Sequence, residues 1–172
     1  MKYYSPSNYC PIDEGVHRCA FPTKLNMPYL LNLGIDLVLM LSAVSPELLE
    51  GSEASFEVHE SSMEALLDDL KPENGKAGNL TDNSLTAHVH ERKRDANERQ
   101  IAKALDLIER CRQSGRSVTI MCCTGRFLTG LVAACLRKTR HQWNLSSCLE
   151  EMRRYSGCGQ ISHELYVERY SA

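Results

Sequence analysis

Residues 117–138 read Ser117-Val118-Thr119-Ile120-Met121, then Cys122-Cys123-Thr124-Gly125-Arg126-Phe127-Leu128, then Thr129-Gly130-Leu131-Val132-Ala133-Ala134-Cys135-Leu136-Arg137-Lys138. The first run is rich in β-branched and apolar residues and predicts a short strand. The last run predicts an apolar helix. Between them lies a loop over Cys122–Leu128 with Gly125 at its centre. A strand passing through a tight glycine-containing loop into a helix makes an anion site. Successive backbone N–H groups point inward, and the helix N-terminus adds partial positive charge. The same dipoles that hold an anion favour the thiolate of a cysteine at the start of the nest, here Cys122. Thr129, at the expected helix start, is placed to donate its hydroxyl to that thiolate. The plainer alternative makes Cys122 one more buried core cysteine; the strand-loop-helix context and Thr129 favour an anion-site cysteine, functional or vestigial.

Working outward, Ile101, Ala104, Leu105 and Ile108 fall on one face of a helix that Gly115 ends. The mixed-sign stretch Glu91–Asp95 reads as its solvated start. Ile35–Leu41 is a nearly continuous apolar run, suited to a strand buried on both faces. Before it, Pro28–Leu33 predicts a short helix with Pro in its first turn and Gly34 at its exit. Val16–Cys19 reads as a short strand within a turn-rich segment, 10–28, that wraps the domain edge. Ala54–His59 reads as another strand, followed by an amphipathic helix near Met63–Leu70. Lys71–Ala87 is a polar excursion read as a surface loop. Beyond the loop helix, Asn144 or Ser146 caps a helix running through Arg154, and Ser162–Tyr170 forms a last one. Strands interleaved with helices predict one α/β domain over residues 1–172, with a largely parallel central sheet flanked by helices. Ligands in such sheets gather beyond the carboxyl ends of the strands, where Cys122 would sit.

Composition narrows the function classes. The 172-residue chain is 42% apolar and 24% charged, with a formal charge of −2. Nothing in that balance drives the counterion release that nucleic-acid binding needs. No stretch approaches ~20 consecutive apolar residues, so no membrane span is expected. The start, Met1-Lys2-Tyr3-Tyr4-Ser5-Pro6, has no apolar signal-peptide core, and the chain reads as a soluble cytoplasmic protein. The eight cysteines form no Cys-x-x-Cys pair, so they read as reduced thiols, and neither a metal nor a cofactor is expected.

Set against the pattern His-Cys-x-x-Gly-x-x-Arg-(Ser/Thr)-Gly, Met121–Gly130 matches at Cys122, Gly125, Thr129 and Gly130. The leading histidine is Met121, and the arginine is Leu128. Further blocks recur in order: Val16-His17-Arg18-Cys19-Ala20-Phe21-Pro22-Thr23, Asn26-Met27-Pro28-Tyr29-Leu30 through Leu33-Gly34-Ile35, Cys135-Leu136-Arg137-Lys138, and Trp143-Asn144-Leu145-Ser146-Ser147. Together these resemble the plant-and-fungal atypical dual-specificity phosphatases of the protein-tyrosine-phosphatase superfamily, over roughly residues 12–170. Rhodanese-like sulfur transfer also uses a cysteine loop on an α/β sheet, but the N-terminal blocks argue against it.

The resemblance implies a metal-free cysteine-phosphatase fold. Active members act on phosphoproteins or inositol pyrophosphates through a phosphocysteine intermediate, with the arginine clamping the equatorial oxygens. It implies Cys122 at the nucleophile position and Thr129 as thiolate donor. Cys123, Thr124, Gly125, Arg126, Phe127, Leu128 and Gly130 complete the phosphate-binding loop, with Arg126 as a basic side chain at the pocket rim. The general acid stays open among Asp82, Asp95, His88 and His90. A lost transition-state donor costs about 10²–10³ in rate, and a lost arginine finger about 10³–10⁵. Leu128 and Met121 together therefore predict a catalytically impaired relative, a pseudophosphatase. Its partners would be a phosphorylated small molecule, a phosphoprotein, or a related phosphatase-like subunit. A slow phosphatase using Arg126 as substitute clamp and a pure scaffold are the competing readings.

Overall fold

The structure is a computed structural model that describes residues 2–43, 56–63, 83–156 and 161–171. Its elements, in order, are β1 (Cys10–Asp13), β2 (Val16–Ala20), α1 (Met27–Asn32), β3 (Leu37–Met40), β4 (Glu57–Glu60), α2 (Asn83–Gln113), β5 (Val118–Cys122), α3 (Phe127–Thr139), α4 (Leu145–Ser156) and α5 (Ile161–Arg169). The five strands form one sheet in the order β1-β2-β5-β3-β4. The β2–β5, β5–β3 and β3–β4 pairs are parallel, and β1–β2 is antiparallel.

The apolar runs explain that order. Every residue of β5 and of β3 is buried, as strands covered on both faces must be, and β5 takes the centre. Ile120 and Cys122 face the larger core, with Ile101, Leu105 and Ile108 of α2 and Leu131, Val132 and Cys135 of α3. Met121 faces the smaller one, with Cys19, Leu30, Ile35, Val38 and Met40. At the sheet edge, β4 is exposed along its length, and Glu57 and Glu60 keep that edge from pairing with another chain. The ion pair Arg116–Glu57, 2.8 Å, ties β4 to the start of β5. No helix among the described residues is long and apolar enough to cross a membrane.

Several expectations shift at their edges. Of the strand read at Ala54–His59, residues 54 and 55 lie outside the described residues; the described strand runs over Glu57–Glu60, where backbone pairing to β3 begins at Leu37. The turn-rich segment after residue 10 opens with a strand, β1; Pro11 is tolerated because β1 is an edge. Residues 83–87 of the expected loop at 71–87 belong to α2 instead. No Gly or Pro interrupts Asn83–Gln113, so the helix propagates upstream of its apolar stripe. Residues 71–82 of that loop, and 64–70 of the helix expected after Met63, lie outside the described residues. Met63 itself is buried in the larger core.

Because Ile120 is fully buried on the central strand, Ile120→Ala should cost about 2–5 kcal/mol. A urea titration would read this as a lowered midpoint with an unchanged slope.

Candidate functional site

The chain leaves the sheet at Cys122, between two neighbours that close over the strand end. Phe21 N–H donates to the Cys122 carbonyl at 3.1 Å, and Leu41 N–H to the Met121 carbonyl at 2.8 Å. The turn that follows is held from outside. Cys123 N–H donates to Ser42 Oγ at 3.1 Å, and Asn8 Nδ2 donates to the Thr124 carbonyl at 2.8 Å. Asn8 reaches it from a left-handed backbone conformation, φ 54°, which asparagine tolerates better than most residues. Neither Ser42 nor Asn8 was legible as a site residue, because each acts through a loop more than 80 positions away in the chain.

Gly125 turns the loop. Its φ is +64°, and a Cβ there would lie 2.2 Å from Ala20 N and 2.5 Å from Cys19 C. With no side chain between, the loop backbone lies against the end of β2, and Gly125 N–H points at Cys122 Sγ, 3.1 Å away. Arg126 N–H meets Thr124 Oγ1 at 3.3 Å. The helix then begins at Phe127, two residues before the expected start, with Arg126 as its N-cap. The reason is periodicity. Leu128, Leu131, Val132, Cys135 and Leu136 are all buried, a stripe at helical spacing that runs back to Leu128.

The site residues therefore divide. Cys122 is 1% exposed and lies at the head of the turn, while Cys123, Thr124 and Arg126 are exposed around it. Leu128 is 1% exposed and packs in the larger core. Thr129 is fully buried, and its Oγ1 has no hydrogen-bond partner; the bond to Cys122 Sγ comes from Gly125 N–H instead. Met121 turns to the opposite face of the sheet. Behind the loop, burial pushes the Cys19 thiol up to about 12, which keeps it protonated. Phe127 packs near His163, with ring centroids 5.9 Å apart.

Of the general-acid candidates, Asp95 is exposed on α2, on a shallow groove shared with Glu98, Arg99 and Tyr170. Asp82 and the side chains of His88 and His90 lie outside the described residues. The basic set after α3 is structurally occupied. Arg137 pairs with Glu151 and stacks on Trp143, and Arg140 pairs with Asp106. Lys138 Nζ donates to the carbonyls of Val167, Glu168 and Tyr170, and His141 lies 3.2 Å from Asp13. Among the described residues no cluster of His, Cys, Asp and Glu could hold a metal ion.

Comparison with known proteins settles the family. The profile of the tyrosine phosphatase family matches residues 3–172. The chain belongs to the tyrosine phosphatase family. Its relatives include OCA1 of Eremothecium gossypii, 30% identical over 167 residues, covering 96% of this chain and 66% of that protein. OCA1 of Saccharomyces cerevisiae is 31% identical over 169 residues, covering 96% and 62%. The chain thus spans slightly less than two thirds of these two relatives' length. The core catalytic domain of the PP-IP phosphatase SIW14 from S. cerevisiae, in complex with citrate, superposes with a TM-score of 0.72. It is 18% identical, with 99% of this chain and 89% of that one covered. That likeness shows the fold: a cysteine-phosphatase domain with its sheet flanked by helices.

Gly125→Ala places a methyl group against backbone at a left-handed φ. It should destabilise by more than about 1 kcal/mol, seen as a lowered melting temperature and displaced amide resonances at Ala20 and Cys122. Burial lowers the pKa of His163, holding it neutral when folded. The unfolded chain takes up that proton near about 6.5. Below that value the unfolded state binds more protons, so stability is lost as pH falls. Melting between pH 7.5 and 5.5 should show this decline, and His163→Gln should make it shallower, burial of His17 and His141 supplying a further part.

Proposed function

We propose that this domain is a catalytically impaired member of its family that retains a phosphate-binding loop. The observation that carries the reading is Leu128: at the arginine position of the pattern stands an apolar side chain packed in the core. It offers no donor to the equatorial oxygens of a phosphoryl group and no charge to offset theirs. Cys122, with Gly125 N–H aimed at its sulfur, keeps the anion-directed turn. In this reading Cys122 occupies the nucleophile position, and Thr129 stands ready to donate to its sulfur once the hydroxyl reorients. Thr124, Gly125, Arg126 and the first turn of α3 receive the anion. The ligand is a phosphoprotein or an inositol-pyrophosphate-like molecule; the chemistry named for SIW14 supports the second.

A second reading makes the domain a slow phosphatase. Arg126 favours it, being exposed at the N-cap of α3, two residues before Leu128. A guanidinium there could swing over the loop and replace part of the missing clamp.

Phosphate release from an aryl phosphate and an inositol pyrophosphate separates the two. The natural chain should show no turnover above Cys122→Ser, and Leu128→Arg should gain at least about 10²-fold if the rest of the pocket is sound. Turnover in the natural chain that disappears in Cys122→Ser and in Arg126→Ala would establish the slow enzyme instead. Binding is read separately. An inositol polyphosphate at 100 times its dissociation constant should stabilise the fold by about 2.7 kcal/mol. An unchanged melting temperature at millimolar ligand would leave only a scaffold.

A further inference from the structure

Arg18 is a buried charge whose two terminal nitrogens go without a hydrogen bond. The residue is 1% exposed, and neither Nη1 nor Nη2 has an acceptor. A guanidinium in that state carries a desolvation cost that is only partly offset, the Tyr155 ring supplying a share. Burial accordingly lowers its pKa, opposed in order by Cys10, Glu151, Tyr155 and Cys122. Of these, the Glu151 carboxylate is bonded to Arg137.

The fold shows what Arg18 faces. Cys10 is its direct partner across the antiparallel β1–β2 pair, and cross-strand partners project from the same face of the sheet. The Tyr155 ring, from α4, packs against the guanidinium with Cζ 3.8 Å from its centroid. Its hydroxyl lies 2.7 Å from Cys10 Sγ. Thiol, phenol and guanidinium thus meet from three elements. Cys10 Sγ also donates to the Pro11 carbonyl at 3.1 Å. Cys10 is half-buried and reachable, whereas Cys19, Cys111, Cys122, Cys135 and Cys148 are buried.

We infer that Cys10 is a site of oxidative modification by hydroperoxides, with Arg18 and Tyr155 as the groups that receive the oxygen it gains. Sγ attacks one peroxide oxygen, an S–O bond forms and the O–O bond breaks. Sulfur gives up two electrons, so Cys10–SH and H₂O₂ yield Cys10–SOH and H₂O. A second H₂O₂ converts Cys10–SOH into the sulfinate with release of H₂O and a proton. Each oxygen brings the acceptor that Arg18 Nη1 and Nη2 lack, and the sulfinate brings a charge as well. Neither step involves Cys122 or the loop, so the inference stands apart from the proposed function.

The test treats the full chain with graded hydrogen peroxide, traps sulfenic acid with dimedone, and quantifies each cysteine peptide by mass spectrometry. The exposed Cys123 serves as internal reference. Cys10 should gain oxygen faster than Cys123. Arg18→Met should slow Cys10 by about tenfold, the effect of one lost charge-assisted hydrogen bond, and leave Cys123 unchanged; Arg18→Lys should restore most of the rate. Should Arg18→Met fail to fold, Tyr155→Phe keeps the ring under Arg18 and removes only the hydroxyl, and it should slow Cys10 as well. Oxidation of Cys10 no faster than Cys123, or unaltered in Tyr155→Phe, would overturn the inference.

Discussion

Everything around the candidate site depends on how closely the loop backbone approaches the end of β2. Gly125 leaves no room for even a methyl group between itself and the Cys19–Ala20 backbone. That contact presses the turn against the sheet, and the Gly125 N–H consequently points at the sulfur rather than at water. Phe21 N–H to the Cys122 carbonyl, and Asn8 to the Thr124 carbonyl, fasten the same turn from the N-terminal side. The segment before α1 therefore forms one wall of the site, and residues 7–21 and 122–125 act as a single piece of structure.

Within that frame two demands meet at Leu128. A phosphate site asks for a cation there, whereas the helix stripe through Leu131, Val132, Cys135 and Leu136 asks for an apolar residue. In this chain packing prevails. Leu128 extends the core to the first turn of α3, and in the proposed reading an anion would be left with backbone N–H groups, the helix terminus and Arg126. Backbone dipoles of that kind hold phosphate in other folds. Stabilising the charge that develops during its transfer is the harder task, and there the missing guanidinium counts most.

The fold was largely legible because its signals are local. The β-branched run before Cys122, the unbroken apolar stretch Ile35–Leu41 and the stripe at Ile101, Ala104, Leu105 and Ile108 each announce an element by its own periodicity. Edges were harder to place. The strand β1 contains Pro11, which reads as a turn until a neighbouring strand supplies the pairing. The upstream end of α2 lacks an apolar stripe, and β4 ends where β3 stops offering partners. The first of these boundaries follows from unbroken helix propensity, the second from the neighbouring strand.

By itself the sequence determined the α/β class, the position of the cysteine loop after a short strand, and the presence of Leu128 where the pattern has arginine. Those properties follow from residue identity and short-range spacing, which no partner element can change. Tertiary structure alone decided that Ser42 and Asn8 hold the loop, that the hydrogen bond to the Cys122 sulfur comes from Gly125 rather than Thr129, and that Arg18 is buried opposite Cys10 against Tyr155. These are contacts between residues tens to more than a hundred positions apart. They exist because sheet order and helix packing bring the segments together, and one-dimensional spacing carries no record of that.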